Sequence, residues 1–327
     1  MSEADAKARR SGRMGLRRPS RELVTRAISA VVLVALVAFE TVIGGWWFLQ
    51  FLCLAAIISF WEWNGMTLKR MQPGPGSLAI RVFLSLPTAL VLSTLVVNAA
   101  PIWAYVAAAA GWSLVSIAII IWRSPAGRRV RNITWYLVGI PYITLPFVAI
   151  WAIRETPVSG LLTLFFVFIV VWTTDTAAYF VGRALKGPKL APAISPGKTW
   201  SGAIGGLSGA VLIGGLLAFW TGGDHQFGFI LLVVALMSIG SQFGDLMESA
   251  VKRRSGVKDS GRLIPGHGGV LDRIDGLMIA VVIAFAFQSV NSLCLDQTPG
   301  NEGRAGLLCA GVVDLELDSS AMGTGNG

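Results

Sequence analysis

The chain of 327 residues is strongly apolar: 54% of them are hydrophobic, 38 more are Gly, and only 14% are charged. Soluble domains carry about 25% charged residues. The composition therefore excludes a disordered chain, a disulfide scaffold and a nucleic-acid-binding domain, despite a formal net charge of +9. The three cysteines have no zinc-type spacing, and Cys294 and Cys309 would pair only on an oxidising side of a membrane.

The apolar residues occur in long blocks, most of them close to the length of about 20 residues with which a helix crosses a bilayer. We predict an all-α, polytopic transmembrane helical protein with about nine spans. The blocks cover residues 27–43, 45–63, 82–98, 101–122, 133–152, 161–182, 202–221, 227–248 and 272–293.

The basic residues indicate how these spans are oriented. With a cytoplasmic N-terminus and nine spans, every Lys and Arg except Arg154 and Arg304 lies on the cytoplasmic side. Cytoplasmic segments of membrane proteins are enriched in Lys and Arg in this way. We therefore predict a cytoplasmic N-terminus and a C-terminus outside.

Carboxylates near the cytoplasmic ends of the blocks are informative, because a charge at mid-bilayer costs about 2.5–3.5 kcal/mol on insertion scales. On a helix, Asp245 and Glu248 share a face that Lys252 extends by one turn, and Asp272 and Asp275 lie one turn apart. The two pairs can face each other across a polar pocket. A divalent cation, Mg²⁺ for oxygen ligands, would then offset their repulsion. Alternatively, the acids pair with nearby Lys and Arg or stabilise a helix N-terminus.

Two further acids, Glu40 and Glu62, also lie near the ends of apolar blocks. We interpret both as interfacial acids whose side chains reach towards the headgroups.

Two cytoplasmic loops are rich in Gly and in cations. The loop at 252–271 can bring backbone N–H groups and cations to a phosphate, or alternatively touch anionic lipid headgroups. The other loop contains a Gly-Lys-Thr sequence, but it lacks the P-loop spacing and no β-strand is predicted before it. There Lys198, with Ser195 and Thr199, opens a helix whose N-terminus can hold an anion. Upstream, Asp175 lies one helical turn before Tyr179.

Metal-binding acids beside phosphate-binding cations, at the cytoplasmic end of the spans, are typical of phosphoryl or nucleotidyl transfer to a lipid. Residues 249–275 also resemble the signature of phosphatidate cytidylyltransferases. The matching positions include Ser249, Lys252-Arg253, Lys258-Asp259, Pro265, His267-Gly268-Gly269 and Asp272-Arg273-Ile274-Asp275. The segments around Asp175, Ser195–Thr199 and Asp245 are similar to the family as well.

The resemblance implies the reaction of CTP with phosphatidate to give CDP-diacylglycerol and pyrophosphate, with Mg²⁺ and with room for a second cation. It implies a multi-pass protein of the cell (inner) membrane and leaves a homodimer open. The expected parts are a basic disordered cytoplasmic tail, N-terminal transmembrane helices, a catalytic transmembrane region with two cytoplasmic loops, and a flexible C-terminal tail (1–26, 27–160, 161–293 and 294–327).

From the residues and the resemblance together we assign three groups of site residues. The expected metal ligands are Asp245, Asp272, Asp275 and Glu248, and the expected catalytic residues are Asp245, Asp272, Lys258 and Arg273. The expected substrate-binding residues are Asp175, Ser195, Lys198, Thr199, Lys252, Arg253, Asp259, His267, Gly268 and Gly269.

Two other functions were compared with this interpretation. The signature of CDP-alcohol phosphatidyltransferases is absent from the chain. A cation- or proton-coupled transporter would place its carboxylates near the bilayer midplane, whereas the acids here cluster at cytoplasmic ends.

Overall fold

The computed structural model of the chain describes residues 21–68, 77–94, 102–157, 159–220 and 227–296. The predicted outer parts of both tails, and Cys309 with them, lie outside these residues. Within them, each of the nine predicted apolar blocks corresponds to an α-helix. The helices are α1 (Arg21–Ile43), α2 (Gly45–Thr67), α3 (Ser77–Thr94), α4 (Ile102–Arg123), α5 (Arg129–Arg154), α6 (Gly160–Leu185), α7 (Trp200–Trp220), α8 (Phe227–Arg254) and α9 (Leu271–Asp296).

Six of the described helices are long and apolar enough to cross a membrane. They are α1, α2, α5, α6, α7 and α8, and α3 and α4 contain shorter apolar stretches. A polytopic helical membrane protein is thereby confirmed, whereas the count of nine spans and the orientation stay predictions. Helix α1 begins at Arg21, several residues before the expected end of the N-terminal tail.

A two-stranded antiparallel hairpin joins α6 to α7, where no strand was expected. Its strands are β1 (Lys189–Ala191) and β2 (Ser195–Thr199), and Lys189 pairs with Thr199. The strands are too short, and too rich in Pro and Gly, to show an alternating pattern. Contacts from outside help to hold the hairpin: Arg253 Nε in α8 donates to the Ile194 carbonyl at 3.2 Å.

Aromatic contacts join α2 to α5 within the buried core. The Trp63 ring lies 5.0 Å from that of Tyr142 and 5.8 Å from that of Trp135, and its Nε1 donates to the Trp135 carbonyl at 2.9 Å. Trp63 is fully buried. On the other side, α7 packs closely on α6 through small residues, Gly202, Gly205, Gly206 and Gly209.

Contacts at both of its ends attach α1 to the bundle. At its C-terminal end, Arg154 donates to the carbonyls of Thr41 and Val42 at 2.7 and 3.2 Å. A cation there satisfies free carbonyls and suits the helix dipole. At its N-terminal end, Ser29 Oγ donates to the Pro265 carbonyl at 3.0 Å, in the loop between α8 and α9.

Candidate active site

A cavity of about 750 Å³ opens at the end of the bundle where α6 ends and α7 begins. Its volume lies within the usual range of ligand sites, about 300–1,000 Å³. Residues from α6, the hairpin, the start of α7 and α8 line it. The charged residues in this lining are the cations Arg183, Lys186, Lys189 and Lys198 and the acids Asp175 and Asp245. Cations outnumber acids, so the cavity is suited to a polyanionic ligand.

An ion pair joins β2 to α8 at the wall of this cavity. Lys198 Nζ lies 2.5 Å from Asp245 Oδ2, and each side chain is about a third exposed. The other Asp245 oxygen accepts from Ser249 Oγ at 3.3 Å. Thr199 ends the strand and caps α7, since its hydroxyl accepts from the Gly202 N–H at 3.1 Å. The hairpin therefore presents an ammonium group to a carboxylate at the wall of the cavity.

The close approach of α8 and α9 brings further acids beside Asp245. The two backbones touch at Gly244, where an added Cβ would lie 2.6 Å from the Asp275 carbonyl oxygen. Any side chain at this position would push the helices apart. The glycine therefore lets Asp245 lie next to Asp275.

Five carboxylates form a continuous series, here called the carboxylate row: Asp175, Asp245, Asp275, Glu248 and Asp272. Asp175 interacts electrostatically with Asp245, and Asp275 interacts with both of them. Glu248, in turn, interacts with Asp275 and Asp272. The row runs from the cavity wall into the protein interior between α8 and α9.

The inner end of the row is neutralised by one buried cation. Lys252 Nζ lies 2.8 Å from Asp272 Oδ1 and 3.2 Å from Glu248 Oε1. The other Asp272 oxygen accepts from the backbone N–H groups of Ser260 and Gly269, at 2.8 and 2.9 Å. Both oxygens of Asp272 are thus bound by donors of the protein itself.

Glu62 of α2 is a second carboxylate received by the loop between α8 and α9. Its oxygens accept from Ser260 Oγ at 3.0 Å and from the N–H groups of Val270 and Leu271 at 3.1 and 2.9 Å. A Cβ at Gly269 would overlap this carboxylate, so only glycine fits there. Glu62 is 4% exposed, and its interpretation as an interfacial acid was therefore wrong.

Comparison with known proteins agrees with the resemblance found in the sequence. A sequence model of the cytidylyltransferase family matches residues 24–290. The phosphatidate cytidylyltransferase of Brucella suis is 38% identical over 276 residues, which are 82% of this chain and 94% of the relative. That of Haemophilus influenzae is 38% identical over 287 residues, 79% of this chain and 96% of the relative. That of Staphylococcus epidermidis is 32% identical over 260 residues, 78% and 95% of the two chains.

The chain belongs to the cytidylyltransferase family. It is therefore an enzyme, a nucleotidyltransferase that uses CTP, and the resemblance found in the sequence is confirmed. The family match extends from α1 to α9 and includes every residue of the cavity and of the carboxylate row. The transporter alternative is not favoured by these relatives.

The structure places four of the expected site residues of this cytidylyltransferase at the cavity: Asp175, Lys198, Thr199 and Asp245. The other expected residues do not line this cavity, although Asp275 and Arg273 both interact electrostatically with Asp175. Lys252 and Asp272 are paired with each other, and Arg253 donates to the carbonyls of Ile194 and Val257. Ser195 begins β2, and Lys258, Asp259 and Arg273 are exposed without a hydrogen bond or ion pair from their side chains to other described residues. The roles expected for all of these residues stay predictions.

At the Gly-Gly segment of the signature, backbone N–H groups bind carboxylates of the protein itself. The N–H of Gly269 binds Asp272, and the N–H of Val270 binds Glu62. His267 donates its backbone N–H to the Ile264 carbonyl, while its Nδ1 is buried without a partner among the described residues. In this arrangement the loop holds two carboxylates of the protein, and a role for His267, Gly268 and Gly269 towards a substrate stays a prediction.

Other polar residues of the cavity were not assigned to the site from the sequence. Arg183, Lys186 and Lys189 were given no site role, and Gln242 was not considered. A signal was available for Gln242, which lies three positions before Asp245 and therefore on the same helix face. Lys186 ends α6 in a left-handed conformation, with φ of 58°, and its carbonyl accepts from the Ser201 hydroxyl.

The donor set of the carboxylate row fits a hard divalent cation. All of its ligand atoms are oxygens, and Glu248 Oε2 is buried without a hydrogen-bond partner in the described part of the chain. The described residues contain no group of three or more acids, His or Cys arranged to enclose a metal ion. Mg²⁺ does not require such a group, because it is usually bound by one or two carboxylates, substrate phosphates and water.

Proposed function

We propose that the protein is a phosphatidate cytidylyltransferase, which converts CTP and phosphatidate into CDP-diacylglycerol and pyrophosphate. The names of the relatives support the substrates. The observation that carries the proposal is the cavity between α6, the hairpin and α8, in which four cations face two members of the carboxylate row. This arrangement suits two phosphate-bearing substrates that would otherwise repel each other.

The cations of the cavity bind the phosphates and hold them in place. Lys186 and Lys198 lie near the two ends of the connection between α6 and α7, and Arg183 donates to Tyr179 Oη at 3.1 Å. A guanidinium with further free donors can bind two phosphate oxygens at once. The triphosphate of CTP and the phosphate of the lipid are thereby brought into one electropositive space.

The reaction is an in-line substitution at the α-phosphorus of CTP. A phosphate oxygen of phosphatidate forms the new bond, the bond from the α-phosphorus to the bridging oxygen breaks, and pyrophosphate leaves with that electron pair. A phosphate monoester has a second pKa of about 6, so the attacking oxygen is largely ionised and needs no strong general base. Catalysis by positioning and by neutralisation of charge accounts for the absence of an obvious base in the cavity lining described here.

The carboxylate row would hold Mg²⁺, with Asp245 facing the cavity and with Asp275 and Glu248 completing or orienting the ligand set. When bound, the ion neutralises charge on the phosphate oxygens during transfer. Asp272 was expected to be a direct ligand. Asp245 also has a donor at each oxygen, but it is about a third exposed at the cavity, whereas Asp272 is buried and bound by Lys252 and two backbone N–H groups. Asp272 therefore suits the role of orienting the row better.

The lipid is expected to remain in the bilayer during the reaction. Large aromatic residues close to the cavity are exposed on the outside of the bundle, among them Tyr179, Phe180 and Trp200. Aromatic side chains of this kind favour the membrane interface. The distribution of Lys and Arg supports a cavity on the cytoplasmic face of the cell membrane, with the acyl chains between or beside the helices.

The test is transfer of label from CTP to lipid by the purified full chain. CTP labelled at its α-phosphate is incubated with phosphatidate in detergent, with Mg²⁺ or with excess EDTA, and the label in the lipid phase is measured. Label is expected only with phosphatidate and Mg²⁺ together. Absence of lipid-phase label under every divalent cation would contradict the proposed function, and label with EDTA would contradict the metal requirement.

A further inference from the structure

A second cavity, of about 690 Å³, lies near the end of α8 and shares no residue with the first. It is formed where α2 ends, α5 begins and the loop after α8 starts. The described residues that line it are Met66, Thr67, Arg131, Trp135, Arg254, Ser255 and Gly256. Its volume is that of a ligand site, and the mechanism above does not use it.

Two guanidinium groups face this cavity without a protein partner. Within the described ranges, the side chains of Arg131 and Arg254 make no hydrogen bond or ion pair, and no lining residue is acidic. Neighbouring arginines, in contrast, donate to backbone carbonyls of the protein. Arg129 donates to the Ser124 carbonyl, and Arg253 donates to two carbonyls.

The helix ends around the cavity do not cancel this charge. Helices α2 and α8 direct their C-termini towards it, and each contributes about half a negative charge, whereas the N-terminus of α5 contributes about half a positive charge. The two full positive charges of Arg131 and Arg254 exceed this balance. The cavity is therefore electropositive, and two guanidinium forks match the geometry of a phosphate.

The remaining walls are partly apolar. The Trp135 indole is held edge-on against the Trp63 ring, at 5.8 Å between centroids, and Met66 is a second apolar residue of the lining. Ser255 contributes a hydroxyl that has no hydrogen-bond partner among the described residues. Its backbone N–H donates to the Val251 carbonyl at 2.9 Å. A ligand with a phosphate and an adjoining apolar or planar part would satisfy both kinds of wall.

We propose that this second cavity is a binding site for a phosphate group, separate from the reaction site. The phosphate is bound by Arg131 and Arg254 together. Its source is either the headgroup of an anionic lipid or a soluble phosphate compound, because both present the same chemistry to the two guanidinium groups. The proposal does not depend on the proposed function.

The test measures binding to the purified full chain in neutral detergent. The probes are dioctanoyl phosphatidylglycerol, as a lipid phosphate that is not the substrate, and inorganic phosphate; dioctanoyl phosphatidylcholine is the neutral comparison. The variant Arg131→Gln/Arg254→Gln is expected to lose at least about tenfold in affinity for one of the two anionic probes, which is about 1.4 kcal/mol. The probe that responds identifies the source of the phosphate.

A control variant makes the result specific. Arg262→Gln removes an exposed cation of the same loop that lines neither cavity. It is expected to bind the probe within about twofold of the unmodified chain. Unchanged binding by the double variant, or an equal loss with Arg262→Gln, would overturn the proposal.

A further variant covers the case in which the double variant does not fold. Arg131→Lys keeps the charge but removes the fork, so affinity for the responding probe is expected to fall while the thermal midpoint stays constant. Transfer of label from CTP to lipid by this variant is expected to continue, because the two cavities share no residue. A fully retained affinity would overturn the bidentate role of Arg131.

Discussion

Glu62 Oε2 accepts a hydrogen bond of 2.9 Å from the backbone N–H of Leu271, a residue 209 positions later in the chain. Helix α9 begins at Leu271, so a carboxylate from α2 binds free donors at its N-terminus. The same carboxylate binds Ser260, whose N–H binds Asp272. Glu62 thereby fixes the segment that places Asp272 and Asp275.

Removal of the Glu62 carboxylate is expected to destabilise the start of α9. In Glu62→Ala, three hydrogen bonds to a charged acceptor are lost and buried donors stay unpaired, which costs roughly 2–5 kcal/mol in the free energy of unfolding. The thermal midpoint in detergent measures this loss. Glu155→Gln, at an exposed acid, is the control and should leave the midpoint unchanged. An equal midpoint for Glu62→Ala would show that α9 does not need this cap.

Lys252 is expected to be essential to stability rather than to substrate binding. It lies between Glu248 and Asp272, which are both buried, so Lys252→Ala leaves two acids without their cation. Loss of one partner of a buried pair costs about 3–5 kcal/mol. The yield of folded protein and its thermal midpoint should both fall, while Lys252→Met/Asp272→Asn should recover part of the loss. A stable Lys252→Ala variant with a raised KM for CTP would instead support a substrate-binding role.

The contact between α8 and α9 at Gly244 predicts a strong effect of any larger side chain. In Gly244→Val, the added atoms meet the Asp275 carbonyl, and the helices must separate. Overpacking of this kind costs about 1–3 kcal/mol or more, and it also separates Asp245 from Asp275. Gly111→Val is the matched control, because an added Cβ meets nothing within 4 Å there. If Gly244→Val transfers label from CTP to lipid as fast as Gly111→Val does, this contact is not required for the site.

Lys186 combines a strained backbone with a cation of the cavity, and the two can be separated by mutation. Lys186→Gly removes the charge but relieves the left-handed conformation, so the thermal midpoint should be equal or higher while the KM for CTP rises several-fold. Lys186→Arg keeps both the charge and the conformation, and its KM should stay close to that of the unmodified chain. An unchanged KM in Lys186→Gly would remove Lys186 from the binding of CTP.

The helices and the family were predictable because both depend on local sequence. Apolar blocks give the positions of the helices, and the segment from Ser249 to Asp275 carries the family resemblance. The acids of α8 were predictable in the same local way, since helical spacing alone puts Asp245 and Glu248 on one face. These features need no knowledge of how distant helices pack.

Partners across the bundle were not predictable from local spacing. The pairing of Lys198 with Asp245 depends on a hairpin too short to be recognised, and the contacts of Glu62 join α2 to a loop about 200 residues away. Asp272 and Lys252 were both expected at a ligand, but packing of α9 on α8 pairs them with each other. Only the tertiary fold decides which acids of such a set receive a protein cation.

The most direct test of a reaction site between Lys198 and Asp245 is the rate at which α-labelled CTP transfers its label to phosphatidate in three proteins. These are the unmodified chain, Asp245→Asn and Lys198→Met, each with its thermal midpoint measured in the same detergent. Both variants are expected to lose about 10²-fold or more in rate while remaining folded. A folded variant of either kind with a rate near that of the unmodified chain would contradict the assignment of this cavity as the active site.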